Sequence, residues 1–152
     1  MGASGESFPP PPPDLVFDAV TLEFVRLVPA DLERGFVPFY HFNIVARGAE
    51  VGHINFRVGD TAHIRLYAGH IGYAVSEPFR GHKYALQACR ALAPFVRSLL
   101  ASVIITSDPD NFASIRTIEL LGGVFLDEVP VPEREAQYAR GSRAKRRYRW
   151  TP

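Results

Sequence analysis

The chain has little cysteine, little net charge and no long apolar run, and each of these features excludes a class of protein. Cys89 is the only cysteine, so the chain forms no internal disulfide, which fits a reducing compartment. No apolar run approaches the ~20 residues of a bilayer-spanning helix, and no basic-then-apolar leader opens the sequence. The net charge of +1 argues against binding of nucleic acid over the whole surface. We therefore expect a cytoplasmic protein that does not contact a membrane.

A set of metal ligands is lacking as well. His53, His63, His70 and His82 are scattered over different predicted strands and loops, and no cysteine or carboxylate completes a ligand spacing with them. Cys89 lies on the apolar face of a helical pattern, where a core residue is expected. We predict no metal site.

Proline, in contrast, is concentrated at one end, where residues 9–13 are all proline. Such a segment buries too little surface to offset the entropy lost on ordering. We expect residues 1–13 to be a disordered or polyproline II tail and residues 14–152 to form one domain. The composition of that domain, 47% hydrophobic and 22% charged over the whole chain, is typical of globular proteins.

Four apolar or alternating segments with short turns between them predict an antiparallel meander. They are residues 22–28, 42–46, 51–58 and 69–75, and residues 30–34 form at most a short helix. In the third strand, alternation places Val51, His53, Asn55 and Arg57 on one face.

A long amphipathic helix over residues 85–100 follows the meander, and Pro94 inside it should kink or divide it. An apolar strand, a second helix ended by Gly122-Gly123, and two closing strand segments come next; they are residues 103–106, 112–121, 124–126 and 148–150. A helix that joins the fourth and fifth strands makes these strands parallel. The order predicts an α/β (α+β) fold, a mixed sheet with helices on its faces.

The chain is organised around residues 69–85, where the fourth strand meets the long helix. Pro78 ends the strand, and Arg80-Gly81 stands at the start of the helix. The amides of a first helical turn have no partner within the helix, and the helix dipole adds positive charge there. A strand, a glycine turn and a helix start beneath a basic side chain are suited to holding phosphates.

Two motifs together make the chain resemble the GNAT family of acyl-CoA-dependent N-acyltransferases. Arg80-Gly81-His82-Lys83-Tyr84-Ala85 resembles the family's pyrophosphate loop, and Asn111-x-x-Ser114 before Gly122 resembles its second signature. From residue 14 to residue 152 the chain resembles one branch of the family. Shared motifs cover residues 37–42, 52–57, 69–73 and 147–149.

The resemblance implies a mostly antiparallel twisted sheet whose fourth and fifth strands splay apart around acetyl-CoA or another acyl-CoA. The pantetheine arm would pair with backbone groups of Ala74 and Val75, and a backbone N–H near Val75 would polarise the thioester carbonyl. Asn111 would bind the pantetheine arm, and Ser114 would lie close to the cofactor. The pyrophosphate would bind the loop amides of Arg80, Gly81, His82, Lys83, Tyr84 and Ala85. An amine of a small molecule or protein would then attack the thioester directly.

The chain departs from the family at the positions that matter for chemistry. Lys83 replaces a loop glycine, and we expect it to keep ordinary backbone angles and to add a phosphate contact. Ile118 stands where many members have a tyrosine that protonates the thiolate. Gly69 and Ile71 stand where many members have the residue that handles the amine's proton.

Other residues are candidates for those roles. Tyr73 shares a strand face with Gly69 and Ile71, so it should face the cleft, as a proton donor or as a wall residue. His70 points the other way by alternation and is a catalytic candidate only if a bulge re-aims it. His53, Asn55 and Arg57 form either a polar acceptor site or a solvated sheet face. Tyr40, with His41, lies where an acceptor wall is expected.

Two alternative functions stay open from the sequence. The missing acid and base fit an acyl-CoA-binding module without catalysis. A basic run near the C-terminus fits nucleic-acid binding, although acidic residues 127, 128, 133 and 135 favour a solvated edge or the rim of a site for acidic substrates. The run consists of Arg140, Arg143, Lys145, Arg146, Arg147 and Arg149. The terminal strand would also allow pairing across a homodimer.

Overall fold

The computed structural model describes residues 8–152, so the predicted tail lies partly outside the described residues, at positions 1–7. Eight strands and three α-helices follow one another, with a π-helical turn at Ile64–Ala68 and a 3-10 turn at Glu77–Phe79. In chain order they are β1 (Val16–Phe17), β2 (Val20–Val28), β3 (Phe39–Ala46), β4 (Ala49–Arg57), β5 (Ile71–Val75), α1 (Tyr84–Leu99), β6 (Val103–Ser107), α2 (Phe112–Leu120), β7 (Val124–Pro130), α3 (Ala136–Ala139) and β8 (Ala144–Trp150).

The strands form a five-stranded antiparallel meander, β1-β2-β3-β4-β5, and a three-stranded unit of order β6-β8-β7. The mixed α+β fold predicted from the sequence is thereby confirmed. The two units meet where β5 and β6, the predicted fourth and fifth strands, begin. His70 N donates to Ile104 O at 2.7 Å, and Ile104 N donates to His70 Nδ1 at 2.9 Å. Within residues 8–152 no strand ladder continues from this contact, so the two strands open into a wedge.

The core lies between the inner face of the meander and α1. Phe95 of α1 makes edge contacts with the rings of Tyr40 at 4.9 Å and Phe56 at 5.9 Å. Pro94 does not divide α1, which is continuous from Tyr84 to Leu99. Cys89 on the same helix is fully buried, and burial raises the pKa of its thiol to about 12. It is a core residue that stays a thiol at neutral pH.

Tyr40 belongs to this core and not to an acceptor wall. Its side chain is 1% exposed, and the hydroxyl donates to Pro9 O at 2.7 Å. Phe8 also packs against the core. Phe8 and Pro9, in the predicted tail, therefore contact the domain, because the core offers an apolar surface and a buried hydroxyl that the composition of the tail does not reveal.

One face assignment in β4 is wrong. Ile44 pairs with Gly52 and Val45 pairs with Glu50, so Val51 is an extra residue in β4. This bulge turns Val51 into the core, at 1% exposure, instead of onto the face of His53. The short helix allowed at residues 30–34 is a turn closed by the Asp31–Phe36 bridge.

The C-terminal strand β8 lies in the centre of its unit, with both edges paired to β6 and β7. It therefore has no free edge for pairing across a dimer. Its basic side chains face acids: Arg147 binds Asp127 through two contacts of 2.7 Å, and Arg146 lies 4.0 Å from Glu128. These pairs favour a solvated strand face over a phosphate-binding one. Among the described residues no helix is long and apolar enough to cross a bilayer.

Candidate functional site

The wedge between β5 and β6 contains a cavity of about 200 Å³. Its apex is Gly69, where φ is +72° and an added Cβ would lie 3.0 Å from Ile104 O, so a side chain there would push the strands apart. Both walls contribute side chains, together with the start of α2 and residues from α3 and β8. The lining residues are Tyr67, Ala68, Ile71, Gly72, Tyr73, Thr106, Ser107, Asp108, Asn111, Ser114, Gln137 and Lys145.

The free edge of β5 faces this cavity. Two hydrogen bonds bracket its pairing with β4: Arg57 N donates to His70 O, and Ser76 N donates to Val51 O. The alternation of an antiparallel ladder then directs the backbone groups of Ala74 towards β4 and those of Tyr73 and Val75 into the wedge. The sequence prediction paired Ala74 and Val75 with pantetheine, and this geometry leaves that role to Val75 and Tyr73. The register, which fixes the direction, was not readable from the sequence.

The loop between β5 and α1 is exposed and turns sharply. Arg80 Nε donates to Val75 O at 2.9 Å, which holds the guanidinium group over the end of β5. Gly81 has φ of +93° with no heavy atom within 4 Å of an added Cβ. Lys83 has φ of +61°, in the left-handed region, so the expectation of ordinary backbone angles is wrong. The turn into α1 imposes this conformation, which the family's glycine adopts without strain.

The start of α1 is open to an anion. Lys83 precedes the helix without a side-chain capping bond, and the first turn contains no acidic residue. The amides of Tyr84 and Ala85 therefore lack a partner within the helix, as the first amides of any helix do. His82, whose ring stacks on that of Tyr84 at 5.3 Å, lies beside them. The assignment of this loop to a pyrophosphate stays a prediction.

Tyr73 reaches across the cleft from β5 to α2. Its hydroxyl lies 2.9 Å from Ser114 Oγ, and Ser114 N in turn donates to the side-chain oxygen of Asn111 at 3.2 Å. Burial raises the pKa of Tyr73 far above its usual value, so the side chain is a neutral phenol. Ile118, one turn further along α2, is fully buried and contributes no polar group.

His70 links the two strand units by hydrogen bonds. Its Nδ1 accepts from Ile104 N, and its Nε2 lies 2.9 Å from Gly59 O. This arrangement fixes the tautomer with the proton on Nε2, and burial lowers the pKa of the ring. Both nitrogens are occupied, and the side chain does not line the cavity.

A charged cluster in the cleft was missed from the sequence. Asp108, directly after β6, binds Lys145 Nζ at 2.7 Å and accepts from Ser142 Oγ at 2.7 Å. Partial burial alone would raise the pKa of Asp108, but the hydrogen bonds from Lys145 and Ser142 and the ammonium charge outweigh it and hold the pKa low. Nothing in the sequence indicates that Asp108 has these distant partners.

A second cavity of about 170 Å³ adjoins the first, and Ala68 and Gln137 border both. Arg57 lines it, whereas its predicted companions on β4 do not. His53 is exposed, and Asn55 Oδ1 lies 2.6 Å from His41 Nδ1 on the open face of the sheet. The other lining residues are Phe36, Val37, Phe39, His63, Ile64, Ala136 and Arg140. Among residues 8–152, no three His, Cys, Asp or Glu side chains come together as metal ligands.

Comparison with known proteins places this geometry in a family. Residues 15–124 match the family model described as an acetyltransferase (GNAT) domain. A comparison with curated proteins found no significant match. Among solved structures, the chain is similar to MccE, the microcin C7 self-immunity acetyltransferase solved with acetyl-CoA and AMP. The identity is 18% over 75% of this chain and 61% of that one, with a TM-score of 0.58.

Two further structures belong to ribosomal protein acetyltransferases. RimL, the L7/L12 α-N-protein acetyltransferase in complex with coenzyme A, is 18% identical over 78% of this chain and 64% of that one, with a TM-score of 0.58. The Salmonella typhimurium enzyme that modifies the N-terminal serine of L7/L12 is 20% identical over 79% and 66%, with a TM-score of 0.59. At these identities the similarity establishes the fold. The chain spans less than two thirds of the MccE and RimL chains.

Proposed function

The chain belongs to the GNAT acetyltransferase family, and from this premise we propose that it transfers an acetyl group from acetyl-CoA to an amine. The observation that carries the proposal is the wedge itself: a free strand edge on β5 leads from an open helix start to a cavity between β5 and β6. The identity of the amine, in a small molecule or a protein, lies beyond the family assignment.

In this proposal the pyrophosphate binds at the start of α1. The amides of Gly81 to Ala85 would donate to it, and Arg80, Lys83 and His82 would add donors and positive charge; the uncapped start of α1 and the position of Arg80 beside β5 support this. The pantetheine arm follows the edge of β5 as an added strand, bound to the backbone groups of Tyr73 and Val75. Asn111 supports the proposal because its side-chain oxygen caps α2 and its amide nitrogen is left to donate to the arm.

The chemistry is an acyl transfer without a covalent enzyme intermediate. The amine nitrogen attacks the thioester carbonyl, the N–C bond forms, the C–S bond breaks, and coenzyme A leaves as a thiolate that takes up a proton. The amine loses one proton in the same process, to solvent or to a group of the acceptor. A backbone N–H near Val75, on the free edge, stabilises the developing oxyanion.

Tyr73 is the residue that we assign to protonation of the thiolate. It is a neutral phenol bound to Ser114, and it faces the cavity from the wall opposite α2. Tyr73 would thus supply the phenol that is missing at position 118, where the chain has Ile118. Both nitrogens of His70 already make hydrogen bonds, so in this proposal His70 positions the two strand units. Tyr40 and Ala74 have no role in it.

Release of free thiol from acetyl-CoA, followed over a panel of amines, tests this function. The proposal is supported if any amine is turned over and if this turnover is at least about tenfold lower in Tyr73→Phe. The second candidate, an acyl-CoA-binding module without catalysis, is favoured by the absence of polar groups at Gly69, Ile71 and Ile118. It predicts tight acetyl-CoA binding with no amine-dependent thiol release. The cytoplasmic location predicted from the sequence stays a prediction.

A further inference from the structure

Arg57 is a mostly buried cation without an acidic partner. Its Nη1 donates to Ala68 O and Gly69 O, both at 3.2 Å, so two of its five donor hydrogens are used by carbonyl groups. The guanidinium group packs closely against Gly72, where an added Cβ would lie 2.9 Å from Nη2. Within residues 8–152, Arg57 makes no ion pair, although six other pairs are present there.

The Nε–Nη2 edge of this guanidinium group is not completely buried. Among the described residues, neither Nε nor Nη2 makes a hydrogen bond to protein, and no buried side-chain nitrogen is left without a partner. The two atoms therefore reach accessible space, and Arg57 lines the second cavity. Nε and Nη2 together form the planar fork that binds both oxygens of a carboxylate.

The rest of the cavity suits an anion attached to an apolar group. Its walls include Phe36, Val37, Phe39 and Ile64, and a second guanidinium group, that of Arg140, stands at its exposed rim. No aspartate or glutamate is among its lining residues. The neighbouring acid, Glu135, is already bound to His63 Nδ1 at 2.7 Å. At about 170 Å³ the cavity has the volume of roughly six water molecules.

The second cavity also adjoins the first one. Ala68 and Gln137 form part of both cavities, and Gly72, which carries the Arg57 guanidinium on one side, lines the cleft. A molecule held at Arg57 therefore lies beside the wedge in which the thioester would be placed.

We propose that the second cavity binds the acceptor through a carboxylate on the Nε–Nη2 edge of Arg57, so that the acceptor is an amine that also bears a carboxylate and a small apolar group. The identification of the bound molecule as the acceptor rests on the proposed function; the carboxylate site itself does not. The carboxylate stays unchanged in the reaction: the N–C bond to the acetyl group forms, the C–S bond breaks, the amine loses one proton, and the departing thiolate takes up one proton. A phosphoryl group is the poorer match, since its third oxygen would face apolar walls.

The first test uses the wild-type chain and matched probes without cofactor. Phenylacetate, phenylacetamide and phenyl phosphate have the same ring, and differ in carrying a carboxylate, a neutral amide or a phosphoryl group. Calorimetry should show phenylacetate binding at least about tenfold more tightly than phenylacetamide. Equal affinity for these two would overturn the proposal, and so would binding of phenyl phosphate in preference to phenylacetate.

Two variants locate the site. Arg57→Lys keeps the charge and removes the planar fork, so phenylacetate affinity should fall about tenfold or more. Ala136→Phe places a ring in the cavity from an exposed position of α3, where the variant is expected to fold; Ala139→Phe, on the same helix but outside the lining, is its matched control. Phenylacetate binding that is lost in Ala136→Phe and retained in Ala139→Phe supports the proposal. Equal binding in the two variants contradicts it.

A separate acetyl-CoA titration distinguishes the two levels of the argument. If phenylacetate binds as expected and acetyl-CoA does not, the proposed function fails and the carboxylate site stands. If acetyl-CoA binds and phenylacetate shows no preference over phenylacetamide, the acceptor class is wrong while the transferase proposal stands.

Discussion

Tyr73 and Ser114 bridge the cleft, with their hydroxyl oxygens 2.9 Å apart. One residue comes from β5 and the other from the first turn of α2, so the contact spans the two walls between which the thioester would lie. Ile118, one turn along α2, is fully buried and has no polar group to offer. Among the described residues, Tyr73 of β5 is thus the only phenol in the wedge whose hydroxyl contacts the opposite wall.

Replacement of Tyr73 by phenylalanine should lower kcat about 100-fold and leave acetyl-CoA affinity unchanged. The ring and its packing remain, and only the proton donor is removed. Steady-state thiol release and calorimetry with acetyl-CoA measure the two quantities. Tyr40→Phe is the matched control, because it removes a hydrogen-bonded phenol hydroxyl in the core, away from both cavities. An unchanged kcat in Tyr73→Phe would assign the residue to the wall of the cleft alone.

The free energy of unfolding should fall with acid in a window set by His70. Burial lowers the pKa of His70 in the folded chain, whereas in the unfolded chain it takes up a proton near pH ~6.5. The unfolded state thus binds more protons below pH ~6.5, so stability is full above that pH and decreases below it. Urea titrations between pH 5 and 8 measure the effect.

His70→Gln should be less stable at every pH and should show a smaller decrease below pH ~6.5, since the titrating group is gone. His53→Gln is the control. The pKa of His53 is also lowered, by burial and by the neighbouring His41, but its side chain is exposed and should account for little of the slope. If His70→Gln keeps the wild-type slope, the acid sensitivity arises elsewhere.

Lys83→Gly should stabilise the fold by up to about 1 kcal/mol, because Lys83 occupies the left-handed region that glycine adopts freely. Lys83→Ala should give no such gain, since alanine keeps the strain. Both variants lose the ammonium group and should bind acetyl-CoA less tightly, by a factor that decreases with salt. Chemical denaturation and calorimetry check the two effects; equal stability of the glycine and alanine variants would show that the turn is not strained.

The sequence predicts the order of the longer elements and the turn before α1, because both depend on local signals. Periodicity marks α1, apolar alternation marks the strands of the meander, and Arg80-Gly81 marks the turn between them. The features that the sequence does not predict depend on strand register and on contacts between residues far apart in the chain. The bulge at Val51 is invisible without the Ile44–Gly52 pairing, and the same holds for the direction of the backbone groups of Ala74.

Distant contacts account for the other differences. Tyr40 alternates with His41 along β3, and only the position of α1 decides that Tyr40 is the buried one. Asp108 and Lys145 are 37 positions apart and meet because β6 pairs with β8. The sequence leaves His53, Asn55 and Arg57 either at an acceptor site or on a solvated sheet face, and of the three only Arg57, at the end of β4, lines the second cavity. The position of Arg57 at the end of the strand separates it from the other two, and this position cannot be read from the residue types.

The central claim is that the wedge and the start of α1 bind acetyl-CoA, and calorimetric titration with acetyl-CoA tests it most directly. We predict saturable binding by the wild-type chain below about 1 mM cofactor, and its loss in Gly81→Val. Valine cannot adopt the φ of +93° at that turn, and its side chain would occupy the approach to the amides. Gly35→Val, at φ of +70° in a turn away from the loop, should bind as the wild type does. Absence of binding by the wild-type chain, or equal binding by Gly81→Val and Gly35→Val, would contradict the account.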